Sequence, residues 1–213
     1  MRTRGCSHRR LLLVRGGSIA SGVGVGKGYT DHLEALCRAK GVEFVNVSRP
    51  GETSFDGVWT FDEDIAPWRP DILVIHFGID DAFHPVYRSE FKENLVRMVG
   101  SARSHGDPVI VMPTSHTFED VHEMDAVDIY YRTIREVCMD LGCTMVAVHT
   151  IWAGSCRERG ITTRDLVLSD ARLPNEDGHL VIAEAMRPAI ERAIERVKAA
   201  GAQKRCPRDQ GEG

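Results

Sequence analysis

The sequence lacks the cysteine patterns that would assign its class at once. Six cysteines occur, but none forms a CxxC pair. A chain of 213 residues of which 42% are hydrophobic can bury a sizeable core, so it does not depend on a disulfide framework. We expect reduced thiols at Cys6, Cys37, Cys138, Cys143, Cys156 and Cys206.

Long apolar runs and an excess of positive charge are also missing. The apolar run in the basic amino-terminal part covers only residues 11–14, which is too short for a signal peptide or a membrane span. The formal net charge is −4 without a concentrated basic face, which argues against a nucleic-acid partner. We therefore expect a cytoplasmic protein that acts on a small molecule. No pattern indicates an oligomeric state.

A glycine-rich turn follows the first apolar run and carries Ser18. Residues 11–14 beside Gly16 and Gly17 predict a buried strand that enters a sharp turn. Ligands of open α/β sheets bind beyond the carboxyl ends of the strands, so Ser18 is well placed to be a nucleophile. The alternative is that Ser18 only caps the next segment or bonds its own turn.

Two nucleotide-binding motifs fail on spacing in this turn. A P-loop needs a glycine five residues before a Gly-Lys pair and a hydroxyl after it, but Ser21 and Gly28 occupy those places around Gly26 and Lys27. The glycines stand too far past the strand for a dinucleotide fingerprint, and no acidic residue ends the second predicted strand. We expect no cofactor.

Strand and helix patterns alternate along the chain. Predicted strands cover residues 11–14, 42–47, 71–77, 108–112 and 143–148, and predicted helices cover 29–40, 55–67, 91–105, 129–141 and 177–200. This alternation predicts an α/β fold with a five-stranded parallel sheet between two layers of helices. We expect a flexible basic segment at 1–8, one domain at 9–200 and a disordered polar tail at 201–213.

Polar residues follow each predicted strand and are expected along one rim of the sheet. They are Ser18, residues 48–51, 78–81 and 113–116, and His149. Four aromatic residues near these loops either line an apolar pocket or belong to the core. They are Trp59, Phe83, Tyr87 and Trp152.

Four blocks in this order resemble the SGNH, or GDSL-type, serine hydrolases. Residues 16–19 (GGSI) resemble the Gly-Asp-Ser block, and residues 46–53 (NVSRPGET) resemble the block that supplies a glycine. Residues 78–82 (GIDDA) resemble the Gly-x-Asn-Asp block, and residues 170–175 (DARLPN) resemble the Asp-x-x-His-Pro-Asn block. The resemblance covers the whole domain and implies the family's flavodoxin-like three-layer fold and an esterase or acyl hydrolase activity.

The resemblance also implies roles for individual residues. Ser18 would be the nucleophile, and its backbone N–H and that of Gly51 would form two arms of the oxyanion hole. Asp170 would be the carboxylate of the catalytic triad. Asp80 stands at the position of the third oxyanion-hole residue.

Three positions depart from the family pattern: Gly17 replaces its aspartate, Asp80 its oxyanion-hole asparagine and Leu173 its catalytic histidine. Leu173 can transfer no proton, and loss of a triad member typically costs roughly 10⁴ to 10⁶ in kcat. The asparagine amide stabilises an oxyanion by about 3 kcal/mol, whereas an ionised Asp80 would repel it. Asp80 would help only when protonated, which burial near Asp170 would favour.

A histidine elsewhere on the rim is the expected substitute base. His179 is the first candidate, although a Gly-His pair at a helix start also packs or caps that helix. His116 and His149 follow predicted strands and are further candidates, whereas His76 is expected in the core. Surface positions are expected for His8, His32, His84, His105 and His122.

A metal site at the rim has weaker support than these catalytic assignments. Asp80, Asp81, His116 and Asp170 suit a hard or borderline cation, but no two of them have metal-ligand spacing on one element. We expect that Asp81 caps a helix and Asp170 bonds a turn, and that no metal is held.

Two functions stay open at this point. The first is a serine ester hydrolase that acts on a small ester or acylated sugar through Ser18, at full or reduced activity. The second is a non-hydrolytic family member, either a binding protein or a biosynthetic enzyme that uses Asp80 and Asp170 in the same pocket.

Overall fold

The computed structural model describes residues 10–84 and 86–203. The segment 1–8 and residues 204–213 of the expected tail lie outside the described residues. The strands are β1 (Leu11–Gly16), β2 (Glu43–Asn46), β3 (Ile72–His76), β4 (Val109–Pro113) and β5 (Thr144–Val146). The helices are α1 (Ser18–Ser21), α2 (Tyr29–Ala39), α3 (Ser54–Ile65), α4 (Ile79–Phe83), α5 (Arg88–His105), α6 (Val121–Leu141), α7 (Val148–Arg159) and α8 (Glu176–Gln203). A short 3-10 helix covers Thr163–Leu166.

The five strands form one parallel sheet in the order β2-β1-β3-β4-β5. The predicted α/β class and the five-stranded parallel sheet are therefore confirmed. β1 and β3 lie side by side, with Gly16 paired to His76 at their carboxyl ends. The chain leaves these two strands at neighbouring points of one edge, and it enters α1 and α4 there.

Alternate residues of the central strands pack on opposite faces of the sheet. Leu12 and Val14 join the core beneath α2, α7 and α8, whereas Leu13 joins the core beneath α3, α5 and most of α6. This period of two is the pattern of strands that are buried on both faces. The helices therefore form two layers around the sheet.

Among the helices that depart from prediction are α6, α7 and α8, and α5 also begins three residues early, at Arg88. α6 begins at Val121, eight residues before the predicted start, because Asp120 caps it by accepting the N–H groups of His122 and Glu123. α7 was not predicted, and it contains His149. α8 continues to Gln203, so three residues assigned to the tail are helical.

Arg15 is a fully buried charge in β1. Its guanidinium pairs with Glu52, and its Nε lies 2.9 Å from an oxygen of Asp64. It also donates to Thr60 at 3.1 Å and lies over the ring of Phe77. A buried charge is tolerated only with such partners, and these partners tie the loop after β2 to α3 and to the sheet.

Candidate active site

A cavity of about 140 Å³ lies at the carboxyl edge of the sheet. Its lining brings together the sequence-predicted residues Ser18, Gly51, Asp80 and Asp170. The other residues around it are Ile79, Phe83, His84, Arg172 and Leu173. The four family-like blocks therefore converge on one small space.

Ser18 begins α1 and is held by three hydrogen bonds. Its hydroxyl donates to Oδ1 of Asp80 at 2.6 Å, and its backbone N–H donates to Oδ2 of Asp80 at 2.8 Å. The N–H of Gly51 donates to Ser18 Oγ at 2.9 Å. Both backbone donors that the resemblance assigns to an oxyanion hole are thus engaged inside the protein, and their catalytic role stays a prediction.

Two glycines allow this close arrangement. Gly51 has a φ of +73°, a left-handed conformation that a residue with a side chain rarely adopts. A Cβ at Gly17 would overlap both Oδ2 of Asp80 and the backbone oxygen of Glu52. The loops can therefore approach Ser18 only because these two positions carry no side chain.

Asp81 has a structural role beside the Ser18–Asp80 pair. Its fully buried carboxylate accepts the N–H of Ser54 at 2.8 Å and the N–H of Gly78 at 3.0 Å. Burial raises the pKa of Asp81 to about 6. The start of α3 is thereby fastened to the start of α4, which carries Asp80.

Asp170 is bound by Arg172, the residue before Leu173, which stands at the family's histidine position. Arg172 donates its Nε to Oδ1 of Asp170 at 2.8 Å and its Nη2 to Oδ2 at 2.6 Å. The same guanidinium lies 5.3 Å from the ring centre of Phe83. These hydrogen bonds hold the pKa of Asp170 below its usual value and raise the pKa of Arg172.

The structure does not bring His179 to the cavity. Its ring is fully buried, its Nδ1 accepts the N–H of Tyr29 at 3.1 Å, and it stacks on the Tyr29 ring. Burial lowers the pKa of His179 to about 4. His76 is also in the core, where its Nδ1 lies 2.9 Å from the Tyr29 hydroxyl. This geometry gives no support to His179 as the base.

His116 and His149 do not line the cavity either. The Nε2 of His116 lies 2.9 Å from the backbone oxygen of Ala171, so this nitrogen must carry the proton of the bond. His116 therefore supports the loop that carries Asp170 rather than lining the cavity. His149 lies in α7, bonded to Thr114.

Sequence reasoning missed the one histidine that does line the cavity within the described residues, His84. It was expected at the surface, and its side chain is indeed exposed. Its position four residues after Asp80 was the available signal, since both belong to the segment that follows β3. Among the four candidate aromatic residues, Phe83 lines the cavity, Trp152 is in the core, and Trp59 and Tyr87 are exposed.

A larger cavity of about 660 Å³ lies at the opposite edge of the sheet, and none of the predicted site residues lines it. Several arginines surround it, and two of them bond helix carbonyl oxygens. Arg10 donates to the oxygen of Lys198 and Arg103 to that of Leu141. Arginines commonly compensate the carbonyl ends of helices in this way, so the smaller cavity is the candidate active site.

Two further properties concern residues 10–84 and 86–203 only. No group of three or more histidine, cysteine, aspartate or glutamate side chains there is arranged to hold a metal ion. No helix in the same ranges is both long and apolar enough to span a membrane.

A family model that matches most of the sequence shows the family of the chain. Residues 14–181 match the model of the GDSL-like Lipase/Acylhydrolase family. The chain belongs to this family. The matched segment runs from the end of β1 into α8, so it includes all the residues that line the cavity.

Relatives of the GDSL-like family agree with the fold. The chain is 29% identical to the esterase TesA of Pseudomonas aeruginosa over 105 residues, which are 47% of this chain and about half, 52%, of that esterase. A crystal structure of TesA superposes with a TM-score of 0.73 at 19% identity, covering 86% of this chain and 99% of the other. The acetylxylan esterase Axe2 of Geobacillus stearothermophilus gives 0.72 at 20% identity, with 86% and 93% covered. At these identities the structures show the shared fold alone.

Proposed function

We propose that this GDSL-like protein hydrolyses a small ester or an acylated sugar through Ser18, with Asp80 as the acceptor of the serine proton. One observation carries the proposal: the Ser18 hydroxyl donates to Asp80 at 2.6 Å within a cavity that also holds the Gly51 N–H. A serine hydroxyl becomes an effective nucleophile only when a neighbouring group takes its proton.

The proposed acylation step needs no other base. The proton of Ser18 moves to Oδ1 of Asp80 while Ser18 Oγ forms a bond to the ester carbon. When the tetrahedral intermediate collapses, the alcohol leaves with the electron pair of the broken C–O bond. Asp80 then returns the proton to the departing oxygen, and the acyl group stays on Ser18 until water removes it.

The same proton transfer removes the negative charge of Asp80 while the oxyanion forms. A carboxylate next to a developing oxyanion is repulsive, but Asp80 is neutral while it holds the serine proton. In that state it no longer competes as an anion for the N–H of Ser18. The N–H groups of Ser18 and Gly51 then become available to the oxyanion.

We expect this activity to be slow. A carboxylate is a weaker base than the imidazole of the family triad, and general bases contribute most when their basicity suits neutral pH. The absence of a histidine at Leu173 is consistent with a reduced rate. The proposal therefore includes reduced activity.

The size of the cavity supports a small acyl group. A space of about 140 Å³ has room for an acetyl or similarly short acyl chain beside Ser18. Axe2, to which the fold is similar, is described as an acetylxylan esterase. An acetylated sugar is therefore a reasonable first substrate. The cytoplasmic location predicted from the sequence is part of the same proposal.

Labelling with a fluorophosphonate probe tests the role of Ser18. We expect slow labelling of the unaltered protein, complete loss with Ser18→Ala and no change with Ser89→Ala. Ser89 is an exposed serine on α5 whose side chain makes no hydrogen bond within the described residues, so it is a matched control. Labelling or esterase activity that survives Ser18→Ala would overturn the proposal.

A non-hydrolytic function is the second candidate, and a specific observation favours it. The carboxylate of Asp80 already accepts the N–H of Ser18, and Arg172 already donates to the carboxylate of Asp170. An oxyanion-hole donor and the triad carboxylate that a hydrolase would use are therefore both engaged. For a binding protein we expect no probe labelling, together with equal affinity of the unaltered protein and Ser18→Ala for an acetylated disaccharide. Isothermal titration calorimetry measures that affinity.

A further inference from the structure

We infer that His84 is the base that activates water to release the acyl group from Ser18. This inference rests on the proposed function and concerns its second chemical step. It assigns to the site a catalytic residue outside the four family-like blocks. The argument depends on which ionisable groups around the cavity are free to accept a proton.

Four ionisable side chains line the cavity, and three of them are engaged. Asp170 and Arg172 bind each other through two hydrogen bonds, and a guanidinium accepts no proton. Asp80 bonds the N–H and the hydroxyl of Ser18 in the free protein, and after acylation it still accepts the N–H through Oδ2. Within the described residues, the ring of His84 has no hydrogen-bond partner, and an imidazole is a stronger base than a carboxylate.

The position of His84 suits a water rather than the serine itself. Its side chain is exposed on the solvent side of the cavity. Its backbone N–H donates to the backbone oxygen of Asp80 at 2.8 Å, which ties its backbone to the helix that carries Asp80. The cavity of about 140 Å³ that Ser18 and His84 both line has room for a water molecule.

The deacylation step then balances as follows. A water molecule gives one proton to a ring nitrogen of His84, and its oxygen forms a bond to the acyl carbon. The tetrahedral intermediate collapses, and the bond to Ser18 Oγ breaks with its electron pair. Ser18 Oγ takes up a proton from a solvent water, the protonated His84 releases its proton to solvent, and the carboxylic acid leaves.

Burst kinetics with p-nitrophenyl acetate separate this step from acylation. We expect His84→Ala to release one equivalent of p-nitrophenol at an unchanged rate and then to turn over about 10² to 10⁴ times more slowly than the unaltered protein. Mass spectrometry should find one acetyl group on Ser18 of this variant. Added imidazole should restore part of the turnover, and His84→Gln should behave as His84→Ala does.

The matched control is His122→Ala, which changes an exposed histidine that does not line the cavity and should leave both phases unaltered. Turnover of His84→Ala within about threefold of the unaltered rate overturns the inference, as does loss of the burst together with turnover. The proposed function fails separately if Ser18→Ala keeps the activity or if no variant carries an acetyl group on Ser18, and the inference then falls with it.

Discussion

Gly17 lies directly against Asp80, so that a side chain at position 17 and the present position of the Asp80 carboxylate exclude each other. The GDSL-type blocks that the sequence resembles have an aspartate and an asparagine at these two places. The two departures are therefore coupled in space. The carboxylate of Asp80 occupies space that a side chain at position 17 would need.

Gly17→Ala should destabilise the protein, because the new methyl group overlaps Asp80 and the backbone of Glu52. Overpacking of this kind costs about 1–3 kcal/mol in the free energy of unfolding. Urea denaturation measures the loss. Gly100→Ala is the matched control, since a Cβ there meets open space in α5 and should stabilise the helix slightly. Equal stability of the two variants would contradict the packing argument.

Asp80→Asn should slow Ser18 labelling although it restores the family residue. The amide is similar in size to the carboxylate but cannot take the serine proton, and removal of a general base typically costs about 10² to 10⁴ in rate. The labelling rate with a fluorophosphonate measures the effect. Asp125→Asn changes an exposed carboxylate outside the cavity and should have no effect. Faster labelling of Asp80→Asn would show that Asp80 only obstructs the oxyanion donors.

Leu173→His alone should restore little activity. A histidine at this position would need Asp170 to orient it, but Asp170 is bound by Arg172 through two hydrogen bonds. Leu173→His combined with Arg172→Ala should therefore gain about 10²-fold or more in labelling rate over Arg172→Ala alone. Full restoration by the single change would mean that Arg172 does not compete for Asp170.

The stability of the fold should fall as the pH is lowered from about 6.5 to about 4. Burial lowers the pKa of His76 to about 3 and the pKa values of His116 and His179 to about 4, compared with 6.5 for an ordinary histidine. Between these pH values the unfolded chain binds more protons than the folded protein does. Each histidine therefore lowers the free energy of unfolding by about 1.4 kcal/mol for every pH unit. Asp81 offsets the effect of about one of these three histidines, because its pKa of about 6 lets the folded state keep a proton that the unfolded state loses.

Urea denaturation at several pH values checks this expectation. The slope of the free energy of unfolding against pH should correspond to a difference of about two bound protons. His179→Gln should reduce the slope by about one proton, whereas the exposed His122→Gln should leave it unchanged. A free energy of unfolding that stays constant or rises between pH 6.5 and pH 5 would contradict the prediction.

The sequence predicted the sheet well and the helix bounds less well. Apolar runs of the central strands are unambiguous because residues such as Leu73 and Val74 are buried on opposite faces. α7 escaped detection because its one large core side chain is Trp152, and Gly154 and Ser155 follow it in place of strong helix formers. Packing of Trp152 against the core stabilises this helix, and sequence patterns do not report such contacts.

The sequence predicted only those residues of the candidate site that lie in the four family-like blocks. Ser18, Gly51, Asp80 and Asp170 line one cavity, as their places after the strands indicated. The histidines could not be ranked in the same way, because a sequence does not show which ring nitrogens are already bonded. The partner of His179 is a backbone N–H about 150 positions away.

The pairing of Gly16 with His76 has a consequence for ligand selectivity. Ser18 and Asp80 follow these paired residues closely, so the hydrogen bonds of the sheet fix their separation. Residues 170–173 belong instead to a loop between the 3-10 helix and α8, outside the sheet, and His116 bonds this loop at Ala171. Adaptation to acyl groups of different size should therefore come from this loop, and exchanges at residues 170–173 should change substrate preference without separating Ser18 from Asp80.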